Sequence, residues 1–174
     1  NSTMVVIPTI VKSKEKVAQM FKNLEVYYLA NKSENLYFTL LGDCSESSMQ
    51  EEKFDEEVIQ EGLRQVEKLN KKYENQKFPI FNFIYRKREW NEKEGSYLGW
   101  ERKRGMLNQL NQYILQGKNP FRINTIPETL KNIKYIITLD ADTDLVLNSA
   151  LELVGAMAHI LNKPVLNEQK NIVI

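Results

Sequence analysis

The hydrophobic positions of the chain alternate between short continuous runs and longer stretches with helical spacing. Repeated alternation of this kind is typical of an α/β fold with a mostly parallel sheet flanked by helices. The short runs predict strands at Met4–Ile7 ending in Pro8, Leu36–Leu41 ending in Gly42 and Asp43, Pro79–Tyr85, and Tyr135–Leu139. The continuous run of the first strand predicts that it is covered on both faces.

The longer stretches predict helices with one apolar face each. The first helix follows a candidate N-cap at Ser13, and the third spans about 100–116 and ends at Gly117. The last helix spans about 147–161. The apolar faces are formed by Val17, Met20, Phe21, Leu24 and Tyr28, by Val58, Ile59, Leu63, Val66 and Leu69, by Met106, Leu107, Leu110 and Ile114, and by Leu151, Val154, Met157 and Leu161.

Several segments fit neither pattern. Cys44–Lys53 is polar and acidic, which predicts a solvated loop, and Arg86–Gly99 is too irregular for a regular element, which predicts a functional loop. Asn171–Ile174 resembles a strand that is only beginning, so we expect the natural protein to continue. We take residues 4–174 as a truncated portion of one domain and 1–3 as residues added in cloning.

The composition fits a soluble globular domain. The 174 residues carry 24 Lys and Arg against 23 Asp and Glu, and a net charge of +1 offers no large basic field to a nucleic acid. A single Cys excludes an internal disulfide framework and a four-Cys zinc site. The apolar runs are far shorter than the roughly 20 residues that cross a bilayer. We therefore expect no nucleic-acid partner and no membrane span in this chain.

The strongest chemical signal is the pair Asp140 and Asp142 at the carboxyl end of the fourth strand. Carboxylates at positions i and i+2 of an extended chain point the same way and can share a divalent cation, which would neutralise nucleotide phosphates. Ligands of open parallel sheets bind at the carboxyl ends of the strands. The alternative is that the two residues only end the strand and cap the next helix.

Asp43 ends the second strand at the same predicted edge of the sheet. It would accept hydrogen bonds from a base or a ribose, and the alternative is an ordinary turn residue. Pro8 and Thr9 follow the first strand at this edge. The chain contains neither the glycine-rich dinucleotide fingerprint nor a P-loop, so other residues must bind phosphate.

Two cationic clusters, Arg86–Arg88 and Arg102–Arg104, flank the irregular loop that holds Trp90 and Trp100. Their side chains would hold a diphosphate while the aromatic rings stack on a base or a sugar. The alternative is a solvated cationic helix face with both tryptophans in the core. His159 and Cys44 have no metal-binding or catalytic partner nearby in sequence, and we assign neither a chemical role.

Four segments together resemble nucleotide-sugar glycosyltransferases with the GT-A fold, a Rossmann-like architecture. They are Val5–Thr9, Leu40–Asp43, Arg104–Asn111 and Ile136–Asp142. Further motifs narrow the resemblance to the central glycosyltransferase domain (glycosyltransferase family 84) of cyclic β-1,2-glucan synthases, and they extend it to almost the whole chain. They are Trp90–Gly95, Gly99–Gly105, Thr138–Thr143, Gly155–His159 and Asn162–Pro164.

The resemblance implies an inverting, metal-dependent transfer of glucose from UDP-glucose. Asp140 and Asp142 would bind Mg or Mn, Asp43 would lie near the uridine, and Pro8 and Thr9 would border the nucleotide sugar. Lys103 or Arg104 would approach the diphosphate, because Met106 stands where many relatives place Lys. The catalytic base would lie after Ile174, so this nucleotide-sugar-binding half should bind the donor and be inactive by itself.

The resemblance also implies a parent enzyme of the bacterial inner membrane, with this domain on the cytoplasmic face. Membrane segments and a phosphorylase-like region would be its partners in the same polypeptide. Edges left exposed by the missing half would favour pairing with a second copy.

Two other functions stay open from the residues alone. One is a noncatalytic module that binds a nucleotide or a neighbouring domain. The other is a phosphatase of the haloacid dehalogenase type, against which Asp144 stands where such enzymes have Thr.

Overall fold

The computed structural model describes residues 2–74, 78–128, 130, 132–162, 165–167 and 172–173. Strands and helices alternate from Ser2 to Tyr85, as predicted, and additional short strands interrupt the alternation after that. In chain order they are β1 (Ser2–Ile10), α1 (Lys14–Ala30), β2 (Leu36–Asp43), α2 (Lys53–Lys72), β3 (Phe81–Tyr85), β4 (Glu89–Asn91), β5 (Ser96–Leu98), α3 (Arg102–Gln116), β6 (Ile123–Asn124), β7 (Ile133–Thr138), α4 (Ser149–Ala158), a 3₁₀ turn (Ile160–Asn162), β8 (Leu166–Asn167) and β9 (Ile172–Val173).

The central sheet has the strand order β6-β3-β2-β1-β7. Strands β3, β2, β1 and β7 run parallel, and only the two-residue β6, which the sequence did not predict, is antiparallel. Because the parallel strands share one direction, their carboxyl ends meet at one edge of the sheet, which we call the carboxyl edge.

Apolar side chains cover both faces of this sheet. Val5 and Ile7 of β1 belong to the core that packs against α1 and α2, whereas Met4 and Val6 belong to the core that packs against α3. Side chains of a strand alternate between faces, so a continuous apolar run is what a doubly covered strand requires. The prediction that β1 is covered on both faces is therefore confirmed.

The predicted helices are present, and their starts and ends have local causes. Ser13 caps α1, with its Oγ accepting a hydrogen bond of 3.3 Å from the Lys16 backbone N–H. Helix α3 ends at Gly117, whose φ of 72° lies in the left-handed region. Ser2 and Thr3, which we assigned to cloning, lie within β1.

Strand β1 does not end at Pro8, as the sequence predicted, but continues to Ile10. Pairing with β7 ends at Val6, and beyond it β1 pairs with β2 through Pro8 and Ile10. Proline lacks an N–H donor, and it fits here because β1 is bonded on one side only at that position.

The prediction that 86–99 is irregular throughout was wrong, because β4 and β5 form an antiparallel hairpin. Asn91 Oδ1 accepts hydrogen bonds from the backbone N–H groups of Lys93 (3.0 Å) and Glu94 (3.3 Å), and Gly95 turns the chain with a φ of 63°. A three-residue strand is too short to show alternation in the sequence. The Cys44–Lys53 loop is tied to this hairpin through a bridge between Ser47 and Tyr97.

The last helix is shorter than predicted and its apolar face is uncovered. Helix α4 ends at Ala158, and Leu151, Met157 and Leu161 are exposed, while only Ala150 of α4 is buried. Some residues of the predicted segments lie outside the described residues, among them Asn1, Pro164, Asn171 and Ile174. No helix in the described part of the chain is long and apolar enough to span a membrane.

Candidate functional site at the carboxyl edge

The sheet brings the predicted site residues to one edge, as expected. Pro8 and Thr9 lie near the end of β1 opposite Leu41 and Gly42, Asp43 ends β2, and Asp140 follows β7 after Leu139. Pro8 is buried and Thr9 is half-buried. The geometry of each polar group at this edge decides which of them a ligand can reach.

Asp43 is fully buried and ion-paired, a state that the sequence did not indicate. Arg86 Nη1 donates to both carboxylate oxygens of Asp43 at 3.2 Å, and the Cys44 backbone N–H donates to Oδ1 at 3.0 Å. Burial raises the pKa of the Asp43 carboxyl, and the Arg86 guanidinium opposes this rise. In this arrangement Asp43 offers no accessible oxygen to a base or ribose.

Arg86 connects Asp43 to the residues around the start of α3. Its Nε donates to Gln109 Oε1 at 2.9 Å, its Nη2 to the Trp100 carbonyl at 2.7 Å, and its Nη1 to the Arg102 carbonyl at 3.2 Å. A ligand can reach Asp43 only if the backbone at 100–102 moves. The sequence signal for this role was the position of Arg86 directly after an apolar strand, at the same edge as Asp43.

Gly99 is the residue that permits this close approach. A Cβ atom at position 99 would lie 2.2 Å from Asp43 Oδ1 and 2.5 Å from Arg86 Nη1. Both of these atoms are held in the buried ion pair, so they cannot move away without breaking it. Only glycine fits at this position.

Arg88, the second arginine of the first cationic cluster, is also buried in an ion pair. It contacts both oxygens of Asp55, with Nη2 donating to Oδ1 at 2.9 Å, and the Tyr85 hydroxyl donates to the same oxygen at 2.7 Å. Burial raises the pKa of Asp55, but hydrogen bonds from Arg88, Glu52 and Tyr85 outweigh it and leave that pKa below its ordinary value. The prediction that this cluster holds a diphosphate was therefore wrong for Arg86 and Arg88, and Lys87 alone is exposed.

The second cationic cluster reaches the carboxyl edge through Lys103. Lys103 Nζ contacts Asp140 Oδ1, and both side chains keep about half of their surface exposed, at 47% and 61%. Arg102 pairs with Glu46 at 3.1 Å, and Arg104 Nε donates to Glu101 at 2.9 Å. Of the predicted cations, Lys103 is the one that the fold places against the predicted metal-binding pair.

The sequence predicted that Asp140 and Asp142 lie in an extended chain, and this prediction was wrong. The Thr143 backbone N–H donates to the Asp140 carbonyl at 3.0 Å, so residues 140–143 form a turn. The capping alternative was also wrong, because the residue that caps α4 is Asn148. The Tyr27 hydroxyl holds the turn against α1 by contacts of 3.0 Å to the Thr143 carbonyl and to Asp144 Oδ1.

The donor set at this turn suits a divalent cation only in part. No group of three or more potential metal-ligating side chains occurs among the described residues. Asp140 and Asp142 are both exposed and supply hard oxygen donors. Mg²⁺ commonly takes one or two protein carboxylates and completes its shell with substrate phosphates and water. The two residues therefore supply only part of the ligand set of such a cation.

The remaining predictions concern Cys44, His159 and the two tryptophans. Cys44 is buried in the core, and burial raises the pKa of its thiol to about 12. His159 is exposed at the end of α4. The two tryptophans are exposed, so the alternative that placed them in the core was wrong.

The fold and the position of the polar residues define a broad class of protein. A mostly parallel α/β sheet flanked by helices, with polar residues gathered at the carboxyl edge, is compatible with a Rossmann-like fold. No protein-family model matches the chain. The chain is 36% identical over 176 aligned residues to the cyclic beta-(1,2)-glucan synthase NdvB of Rhizobium meliloti (strain 1021).

The match covers 99% of this chain and 6% of the length of that synthase. The chain is thus related to one short segment of a much longer protein. This relation supports the resemblance that the motifs indicated.

Proposed function

We propose that the chain is the donor-binding part of an inverting, metal-dependent GT-A glycosyltransferase that uses UDP-glucose to build β-1,2-glucan. The observation that carries the proposal is the 36% identity to a cyclic β-1,2-glucan synthase along 99% of the chain. The contact of Lys103 with Asp140 at the carboxyl edge supports it, because a cation beside a carboxylate pair suits a metal-bound diphosphate.

In this proposal each residue at the edge has a separate task. Asp140 and Asp142 would hold Mg²⁺ or Mn²⁺ on the diphosphate, and the cation would stabilise the negative charge that develops on the leaving UDP. Lys103 would exchange its contact with Asp140 for a phosphate oxygen. Arg104 would reach the diphosphate after leaving Glu101.

Pro8, Thr9 and Asp43 would border the nucleoside, with Asp43 accessible once the backbone at 100–102 moves. The remainder of the parent enzyme would supply the catalytic base, the membrane segments and a phosphorylase-like region. We place this part of the parent at the cytoplasmic face of the bacterial inner membrane.

The test is calorimetric titration of the chain with UDP and UDP-glucose, with and without Mn²⁺. We expect metal-dependent binding that Asp142→Ala weakens at least tenfold, because a lost charged ligand is worth more than about 1.4 kcal/mol. Glu67→Ala is the matched control, because Glu67 is also an exposed carboxylate. It lies on α2 near Asn70, whose side chain bonds to the first residue of β3, at the strand end away from the carboxyl edge.

Metal-independent binding that Asp142→Ala leaves intact would contradict the assigned metal pair. Hydrolysis of a simple phosphate ester without UDP binding would favour the phosphatase. If the chain neither binds UDP nor hydrolyses the ester, a noncatalytic module would be favoured.

A further inference from the structure

A groove lies between the β4–β5 hairpin and the start of α3, beside the carboxyl edge. It has a volume of about 640 Å³, and its lining includes Trp90, Glu92, Glu94, Trp100, Glu101 and Arg102. This volume is in the range of sites that bind small molecules, roughly 300–1,000 Å³.

Both tryptophans of the chain line this groove. Trp90 is 54% exposed and Trp100 is 46% exposed. Large aromatic rings are mostly covered in folded proteins, because they contribute strongly to the hydrophobic effect. Two exposed rings in one groove form a surface that a ligand with an apolar face would cover.

The groove is held in shape by contacts behind it. The Trp90 ring packs edge-on against Tyr97, with ring centroids 5.1 Å apart. The Trp100 carbonyl is bonded to buried Arg86 at 2.7 Å. Backbone hydrogen bonds of 2.9 Å and 2.8 Å join Ser47 and Tyr97 and fix the hairpin to the body of the domain. A preformed wall reduces the ordering that binding would otherwise require.

The charges of the groove disfavour a nucleotide and favour hydroxyl groups. Its lining contains four glutamates, at 89, 92, 94 and 101, against Lys93 and Arg102. Arg102 is engaged by Glu46 at 3.1 Å and Glu101 by Arg104 at 2.9 Å. The other charged residues of the lining are Glu89, Glu92 and Glu94 against Lys93, so the acidic character prevails. Carboxylates repel phosphates but accept hydrogen bonds from hydroxyls. A sugar ring has an apolar C–H face and a rim of hydroxyl donors, which match the tryptophans and the glutamates.

We propose that this groove binds a neutral gluco-oligosaccharide, with sugar rings stacked on Trp90 and Trp100 and hydroxyls donating to Glu92 and Glu94. The inference rests on the proposed function, because it makes the bound chain the acceptor of the glucose. Arg102 of the groove directly precedes Lys103, which contacts Asp140. The groove and the candidate donor site therefore meet at the first turn of α3.

The experiment is a titration of tryptophan fluorescence with a linear β-1,2-linked glucan oligosaccharide in the absence of UDP and metal. Both fluorophores lie in the groove, so the signal reports on this surface. We expect a saturable blue shift, weakened about tenfold by Trp90→Ala and largely retained in Trp90→Phe, which keeps an aromatic face. Leu115→Ala is the matched control, because it removes an apolar side chain that is 83% exposed elsewhere on α3.

A second variant keeps the test independent of any folding defect at Trp90. Glu92→Gln with Glu94→Gln should weaken sugar binding severalfold while leaving the melting temperature and both fluorophores in place. A shift produced by oligolysine and not by the glucan would overturn the proposal in favour of a cationic peptide. A shift produced by UDP but not by the glucan, and abolished by Trp90→Ala, would assign the groove to the nucleotide. No shift with any of these probes would refute a binding site.

Failure of this inference and failure of the proposed function are distinguishable. Calorimetry with UDP and Mn²⁺ reports on the donor site whatever happens in the groove. Binding of UDP without a sugar response would overturn this inference alone.

Discussion

At the scale of single residues, the carboxyl edge contains both a buried ion pair and an exposed one. Arg86 and Asp43 are 2% and 0% exposed and hold the edge together, whereas Lys103 and Asp140 are open to solvent. Exposed pairs contribute little to stability, about 0–1 kcal/mol, so their partners can be exchanged for a ligand. A buried pair cannot be opened without leaving a charge in the protein interior.

Removing Arg86 should therefore destabilise the fold strongly. We expect Arg86→Met to lower the free energy of unfolding by about 3–5 kcal/mol, because Asp43 would be buried without its partner. Urea denaturation measures this change. Lys87→Met is the control, since Lys87 is exposed and should change stability by less than about 0.5 kcal/mol.

The double variant Arg86→Met with Asp43→Asn tests the cause. It should lose less stability than the sum of the two single variants, because the unpaired charge is gone. Strict additivity would show that Arg86 stabilises the fold independently of Asp43, through its contacts with Gln109, Trp100 and Arg102.

At the scale of elements, the hairpin and the start of α3 are fitted closely onto the sheet. Gly99 passes the Asp43–Arg86 pair, and a side chain there would collide with both. The left-handed residues Glu101 and Arg102, with φ of 54° and 48°, then lead into α3. Non-glycine residues in this region carry strain, which the contacts of Arg86 to residues 100 and 102 must offset.

Gly99→Ala should lower the free energy of unfolding by about 2 kcal/mol or more, because the added methyl group overlaps a buried ion pair. The melting temperature should fall accordingly. Circular dichroism during thermal unfolding measures the effect. Gly155→Ala in α4 is the matched control: a Cβ there meets no atom within 4 Å, and alanine favours a helix by up to about 1 kcal/mol. Equal effects of the two substitutions would contradict the proposed overlap.

At the scale of the whole molecule, the described fold leaves an apolar surface uncovered around its last helix. Val146, Leu147, Leu151, Leu153, Met157, Ile160 and Leu161 are each at least 45% exposed. Strand β7 pairs with β1 on one side and is the edge of the described sheet. Contiguous exposed apolar side chains promote association.

We therefore expect the average mass of the chain, measured by light scattering, to rise with protein concentration toward that of a pair. Leu151→Lys with Leu161→Lys should reduce this rise, because charges would have to be buried in the contact. Val26→Lys with Leu115→Lys places the same charges at other exposed apolar positions, on α1 and α3, and should have no such effect. A mass independent of concentration would refute the predicted pairing.

Much of the fold could be predicted from the sequence, because the signals are local. The apolar runs of β1, β2, β3 and β7 and the spacing in α1–α3 report burial directly. The ends of the β4–β5 hairpin, the two-residue β6 and the end of α4 could not be placed. Such short elements form through contacts with distant residues and leave no period in the sequence.

The sequence by itself determined the order along the chain of the four parallel strands and the main helices. It also determined which residues reach the carboxyl edge, since a parallel sheet sends every strand end to the same side. Tertiary structure decided which of those residues are accessible. It joined Arg86 to Asp43, Arg88 to Asp55 and Lys103 to Asp140 across 43, 33 and 37 positions. Whether a charge is buried or exposed depends on the elements packed around it, and those elements lie far away in the sequence.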